Sequence, residues 1–275
     1  MSYRVQIPIL APWRFSVEVP DKFGGIPLLP VRDAKMMGVN MALYGPAGSG
    51  KTTIAGKLGS KYGPLLYIDA EGGASAITSF EGVHWAPVTS TQQIMNIGRD
   101  LSKGGHPFRT IVIDNMSEIQ SLSINRISGG TNIQIQHWGE CTTEMLKITR
   151  VFRDMTRVQP LNVIFIAWED TEKSQDGVVT RKYVGFTPSL ARQFPGIVGM
   201  VGYLSVFDKV PDMRILSFKA SPKSDAKFRV DRTDIAATIP QELYVGVNTN
   251  PLEDMFDTIY EGKKFPVDKY QKPRG

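Results

Sequence analysis

Cysteine is almost missing from the 275 residues, with Cys141 alone. One thiol excludes an internal disulfide and a cysteine-built metal site, and it fits a reducing cytoplasm. Long apolar runs are missing too. The longest, Ile197 to Phe207, is too short to span a bilayer, and two prolines break the apolar patch of the opening MSYRVQIPILAPWRF, which lacks a signal-peptide layout. No membrane role is expected. Nor is there an internal repeat or a general excess of one charge. The net +5 sits in one segment, Thr171 to Arg232, where eleven Lys and Arg face six Asp and Glu. Such a bias is either a solvated face or a footprint for a polyanion.

Hydrophobic content of 41% and charged content of 21% are those of an ordinary globular protein, and the length suffices for one sizeable core. The stretch that organises the chain is Val39 to Ala55, VNMALYGPAGSGKTTIA. Gly45-Pro46-Ala47-Gly48-Ser49-Gly50-Lys51-Thr52 satisfies G-x-x-x-x-G-K-[ST] at every fixed position, between an apolar run and a helix-compatible one. Strand, loop and helix in that order make a phosphate-binding loop. Its glycines let several backbone N–H groups turn toward one anion. Lys51 is placed to reach the β- and γ-phosphates, serving binding and catalysis together, the Thr52 hydroxyl to join the shell of Mg²⁺, and Thr53 to complete the nucleotide-binding set. ATP is the default nucleotide.

Residues 1–38 read as an extension with short strands at Phe15–Val19 and Ile26–Pro30, because closely spaced prolines forbid a long helix. Residues 39–262 form the core and 263–275 a mobile tail. Within the core, buried strands are expected at Leu65–Ile68, Thr110–Asp114 and Asn162–Ala167, with a short one at Trp85–Val88. Helices are expected at Lys51–Lys61, Thr89–Ser102, Cys141–Val158 and Pro251–Tyr260, and one broken by Pro195 at Leu190–Met200. Ser121 to Gly139 reads as an irregular polar segment. Val178–Val184 can pair back as a ribbon after the Asp176-Gly177 turn. Gly202–Phe207, Arg214–Ala220 and Lys227–Asp231 form an antiparallel meander. The fold class is α/β: a mainly parallel central sheet flanked by helices, closed by that meander.

In such a sheet the carboxylate ending a strand faces the ligand crevice. Asp114 is therefore the expected magnesium partner, through a water or through Thr52.

Leu66-Tyr67-Ile68-Asp69-Ala70-Glu71-Gly72 resembles the RecA family, whose strand after the phosphate-loop helix ends in D-A-E. The resemblance makes Glu71 the residue that activates the attacking water, a role that suits a strand-end carboxylate. With the phosphate loop near residue 45 and a trailing meander, the chain is similar to phage-encoded RecA-like ATPases of the single-strand annealing type. That likeness implies slow, single-stranded-DNA-stimulated ATP hydrolysis, annealing or strand pairing in recombination, a single-strand-binding protein as partner, and a homo-oligomer, ring or filament. By order in the chain it points to DNA contacts in Ser121–Gly139, with Arg126, and in Asp170–Leu190, where Lys173, Arg181 and Lys182 alternate with Tyr183 and Phe186. Cations acting across a subunit interface fall in the region of Lys219, Lys223, Lys227 and Arg229. One departure is plain: where RecA ends a strand in a polar pair with glutamine, this chain has Ala167-Trp168-Glu169, with Trp168 expected in the core. Other readings of the loop are a P-loop kinase and an interaction protein switched by ATP without DNA.

Overall fold

Successive residues of a strand point to opposite faces, so a strand that is apolar on both faces needs cover on both sides. β3 (Asn40–Gly45), β4 (Leu65–Asp69) and β6 (Thr110–Asp114) are such strands, buried at every residue. Ala42, Tyr44, Ile68, Ile111 and Ile113 enter one core; Met41, Leu43, Tyr67 and Val112 enter the other. The first core is roofed by α3 (Thr91–Ser102), α4 (Met116–Ser128), α5 (Ile135–Val158) and α6 (Pro188–Ile197). The second is roofed by α1 (Lys51–Gly56), α2 (Gly59–Tyr62) and α7 (Pro251–Glu261).

The computed structural model describes residues 22–23, 26–27, 38–222, 224–229 and 237–273. The chain divides into units 1–35 and 36–275. In the first, β1 (Lys22–Phe23) pairs antiparallel with β2 (Ile26–Pro27), within the strand expected at Ile26; Phe15–Val19 lies outside the described residues. The second unit carries one ten-stranded sheet. Its further strands are β5 (Val83–Pro87), β7 (Asn162–Lys173), β8 (Val179–Val184), β9 (Met200–Val206), β10 (Arg214–Ser217), β11 (Lys227–Phe228) and β12 (Glu242–Val245). The order is β12-β10-β9-β3-β7-β6-β4-β5, parallel from β9 to β5, with β10, β11 and β12 antiparallel at the other side and β8 folded back on β7. The α/β class, the parallel core and the antiparallel C-terminal strands are as the sequence predicts.

Three stretches differ. Ser121 to Gly139 is mostly helical: α4 runs to Ser128, stops at Gly129 with φ 62°, and α5 starts at Ile135, ahead of the expected Cys141. Its polar composition conceals the helix because the buried polar residues bond across it, Ser123 to Glu144 and Gln120 to Thr187. β7 continues to Lys173 by pairing with β8, so most of the expected second loop is a hairpin. Of the expected tail, residues 263–273 are docked rather than loose: Phe265 and Tyr270 are buried, and the Tyr270 hydroxyl donates to Asp254 at 2.6 Å; the last two residues lie outside the described residues. Among the described residues no helix is long and apolar enough to cross a membrane.

Candidate functional site

The C-terminal ends of β3, β6 and β4 lie at one edge of the parallel sheet, with Asp69 opposite Asp114 and Gly45 opposite Trp168 in register. Gly45 ends β3 so close to β9 that an added Cβ would sit 2.0 Å from the Leu204 carbonyl oxygen. No other residue fits. Gly48 and Gly50 take φ of 73° and 94°, the left-handed region, where glycine alone is unstrained. Lys51 opens α1, is 7% exposed, and donates from Nζ to the carbonyls of Gly45 and Pro46, both at 2.9 Å. Burial lowers its pKa, and Asp114, Glu71 and Glu169 pull it partly back. A buried ammonium held by loop carbonyls and faced by three carboxylates is ready to exchange those carbonyls for phosphate oxygens.

Asp114 is 4% exposed at the end of β6. Its Oδ2 accepts a hydrogen bond from the Thr52 hydroxyl at 2.5 Å and another from the Tyr67 hydroxyl. Burial raises its pKa; the two hydroxyls and Lys51 act the other way, and Glu71 adds to the rise. Glu71, just past β4, is exposed and accepts from the Asn115 side-chain amide, whose own oxygen caps α4 through the Glu118 N–H at 2.8 Å. The Asp114–Asn115 peptide is cis. Lys51, Thr52, Asp114 and Glu71 thus converge.

Among the described residues no cluster of three or more His, Cys, Asp or Glu could hold a metal. The donors here are one hydroxyl and one carboxylate, both hard oxygens. That set fits Mg²⁺, which keeps waters and takes its other ligands from substrate phosphates, and it does not fit a cage-bound ion.

The remaining sequence candidates are placed differently. Lys227 donates to the carbonyls of Pro195 and Val198, at 2.9 and 2.8 Å, closing the C-terminal end of α6. Burial lowers its pKa. Lys219 and Arg229 are exposed, and Lys223 lies outside the described residues. Arg126 pairs with Glu144 at 2.9 Å on the α4–α5 surface. On β8, Arg181 grips both oxygens of Asp225 at 2.9 and 2.7 Å, Lys182 donates to the Tyr203 hydroxyl at 2.7 Å, and the Tyr183 hydroxyl donates to Asp170 at 3.2 Å. Lys173 is exposed near the hairpin tip. Trp168 is half-buried, its N–H held by the Ser117 hydroxyl at 3.1 Å.

Sequence reasoning missed several contributors. Tyr67 sits two residues before Asp69 on the same strand face, a polar tip that alternation could have flagged. Asn115 and Glu118 carry the N-cap spacing of a helix start. Arg214 donates from Nε to the Ser49 carbonyl at 3.2 Å, steadying the loop from β10, and no local pattern signals a contact across 165 residues. Tyr203 donates to Glu169 at 2.9 Å, tying β7 to β9 beside the loop.

The model of one protein family, described as an AAA domain, matches residues 37–230, more than half of the chain and all of the site. No curated protein matches it.

Proposed function

The chain belongs to the AAA domain family, an AAA-type P-loop NTPase domain, and from that premise we propose that it binds and hydrolyses ATP while holding single-stranded DNA, in phage recombination by annealing or strand pairing. The observation that carries the hydrolytic half is the convergence of Lys51, Thr52, Asp114 and Glu71 on the phosphate loop. Bound there, Mg²⁺ supplies charge neutralisation for the phosphates. Lys51 exchanges its loop carbonyls for phosphate oxygens, Thr52 and Asp114 would hold the ion, and Glu71 orients and polarises the water. Asn115, the N-cap of α4, steadies the Glu71 carboxylate.

For the DNA half, support comes from the basic excess between Thr171 and Arg232 and from the exposed Lys173, Lys209, Lys219 and Arg229 within it. Several copies along a strand, beside a single-strand-binding protein in the host cytoplasm, would supply cations to a neighbour's nucleotide. A second reading, an ATP-switched interaction protein without DNA, draws on Arg181 and Lys182 being committed to partners within the chain. Hydrolysis with and without single-stranded DNA, together with strand retention on filters at rising salt, separates the two. Stimulated turnover and salt-sensitive retention are expected; no retention even at low salt would overturn the DNA half.

A further inference from the structure

The turn that carries Glu71 is held by a carboxylate outside the nucleotide set. Asp69, 3% exposed, accepts through Oδ1 from the backbone N–H groups of Glu71 at 3.1 Å, Gly72 at 2.7 Å and Gly73 at 3.2 Å. Three donors on one oxygen wind residues 71–73 into a fixed loop, with Gly72 at φ 85°. The same segment is stitched to β6 where the Ala70 N–H donates to the Asp114 carbonyl at 2.8 Å. What orients Asp69 is its second oxygen, Oδ2, which accepts from the indole Nε1–H of Trp85 at 2.9 Å.

Trp85 is an odd choice for its place. It lies on β5, the edge strand of the sheet, and is 56% exposed, where so large a ring gains little from burial. A threonine or lysine would serve an edge strand better. Among the described residues its side chain makes a hydrogen bond from the indole to a buried carboxylate, the kind of charge-assisted bond that holds geometry firmly. Resting on the hydrolytic reading above, we propose that Trp85 is a positioning residue for ATP hydrolysis: its N–H fixes the Asp69 carboxylate, Asp69 fixes the turn 71–73, and the turn aims the Glu71 side chain at the water.

The test pairs a kinetic with a non-kinetic readout. Trp85→Phe keeps an aromatic ring on the edge strand and removes the donor, with a smaller ring at a position that is 56% exposed. Hydrogen exchange followed by mass spectrometry should show the amides of 71–73 exchanging about tenfold faster in the variant, with the amides of β3 and β6 unmoved. kcat should fall by about tenfold while KM for ATP stays put, since nucleotide binding does not use the turn. Asp69→Asn places an amide N–H against either the indole or the turn, so it should cost more than Trp85→Phe. Adding Trp85→Phe to Asp69→Asn should restore part of the loss, because the donor facing the amide is gone. Unchanged exchange at 71–73 in Trp85→Phe overturns the proposal whether or not the protein hydrolyses ATP. Unchanged kcat in Trp85→Phe, in a protein whose turnover Glu71→Gln abolishes, overturns it too and leaves the hydrolytic reading standing. Absence of turnover in the wild type overturns that reading and the positioning role with it.

Discussion

Thr52 and Asp114, 62 residues apart in the chain, meet with the threonine hydroxyl donating to Oδ2 at 2.5 Å. Two oxygens that a magnesium ion would use together are already adjacent, on the helix after the phosphate loop and on a strand one removed from it in the sheet. Holding them there buries a carboxylate.

That burial makes a signed prediction for Asp114→Asn. The Asp114 pKa is raised in the folded protein, so the group favours folding below the ordinary carboxylate range and loses that contribution as pH rises through its folded pKa. Asn carries no charge to desolvate. The variant's thermal stability without nucleotide should therefore gain on the wild type as pH rises from about 4 toward 7. Its magnesium-dependent hydrolysis should fall by about a hundredfold or more. Unfolding scans across that range, set beside the rates, check both.

Tyr67→Phe removes the second donor to the same oxygen. Its hydroxyl is wholly buried and lowers the Asp114 pKa, so the variant should lose about 1 kcal/mol of stability and need several-fold more Mg²⁺ for half-maximal turnover. A magnesium titration of ATPase rate measures it.

Two glycines of the phosphate loop should respond differently to alanine. At Gly45 the new Cβ would meet a backbone carbonyl at 2.0 Å, and β3 and β9 would have to part. A loss of about 3 kcal/mol or more is expected, visible in chemical denaturation. At Gly48 nothing lies within 4 Å of the new Cβ, and only the left-handed backbone is strained, at about 1–2 kcal/mol. Its larger effect should be on nucleotide affinity.

The phosphate loop, the strand Thr110–Asp114 and the buried strands around them were legible because each is local: a spacing, an apolar run, a terminal carboxylate. Asp114 was readable as a strand-end acid, and Glu71 through the resemblance of Asp69-Ala70-Glu71 to the RecA family. What stayed hidden depends on pairs that only the fold joins. Tyr67 reaches Asp114 across neighbouring strands, Arg214 reaches Ser49 from the antiparallel side, and Trp85 reaches Asp69 from the sheet edge. The helix α4 was obscured for the related reason that its buried polar side chains bond to α5 and to the segment before α6, so composition alone reads as loop.

On the DNA side, Lys173 and Arg181 should separate. Lys173→Ala removes an exposed cation and should weaken single-strand binding while lowering the salt slope by about one counterion, with stability unchanged. Arg181→Ala breaks the bidentate pair with Asp225, whose partners are partly exposed, and should cost about 1 kcal/mol of stability. Salt-dependent binding isotherms for the two variants, alongside their unfolding curves, test this.

The most direct measurement is a single-turnover comparison of wild type with Glu71→Gln, following bound ATP and released phosphate together with magnesium present. Glu71→Gln is expected to retain ATP at wild-type affinity and to cleave it at least about a hundredfold more slowly. Cleavage at the wild-type rate, or loss of ATP binding with the loop intact, would contradict the assignment of Glu71 to the attacking water.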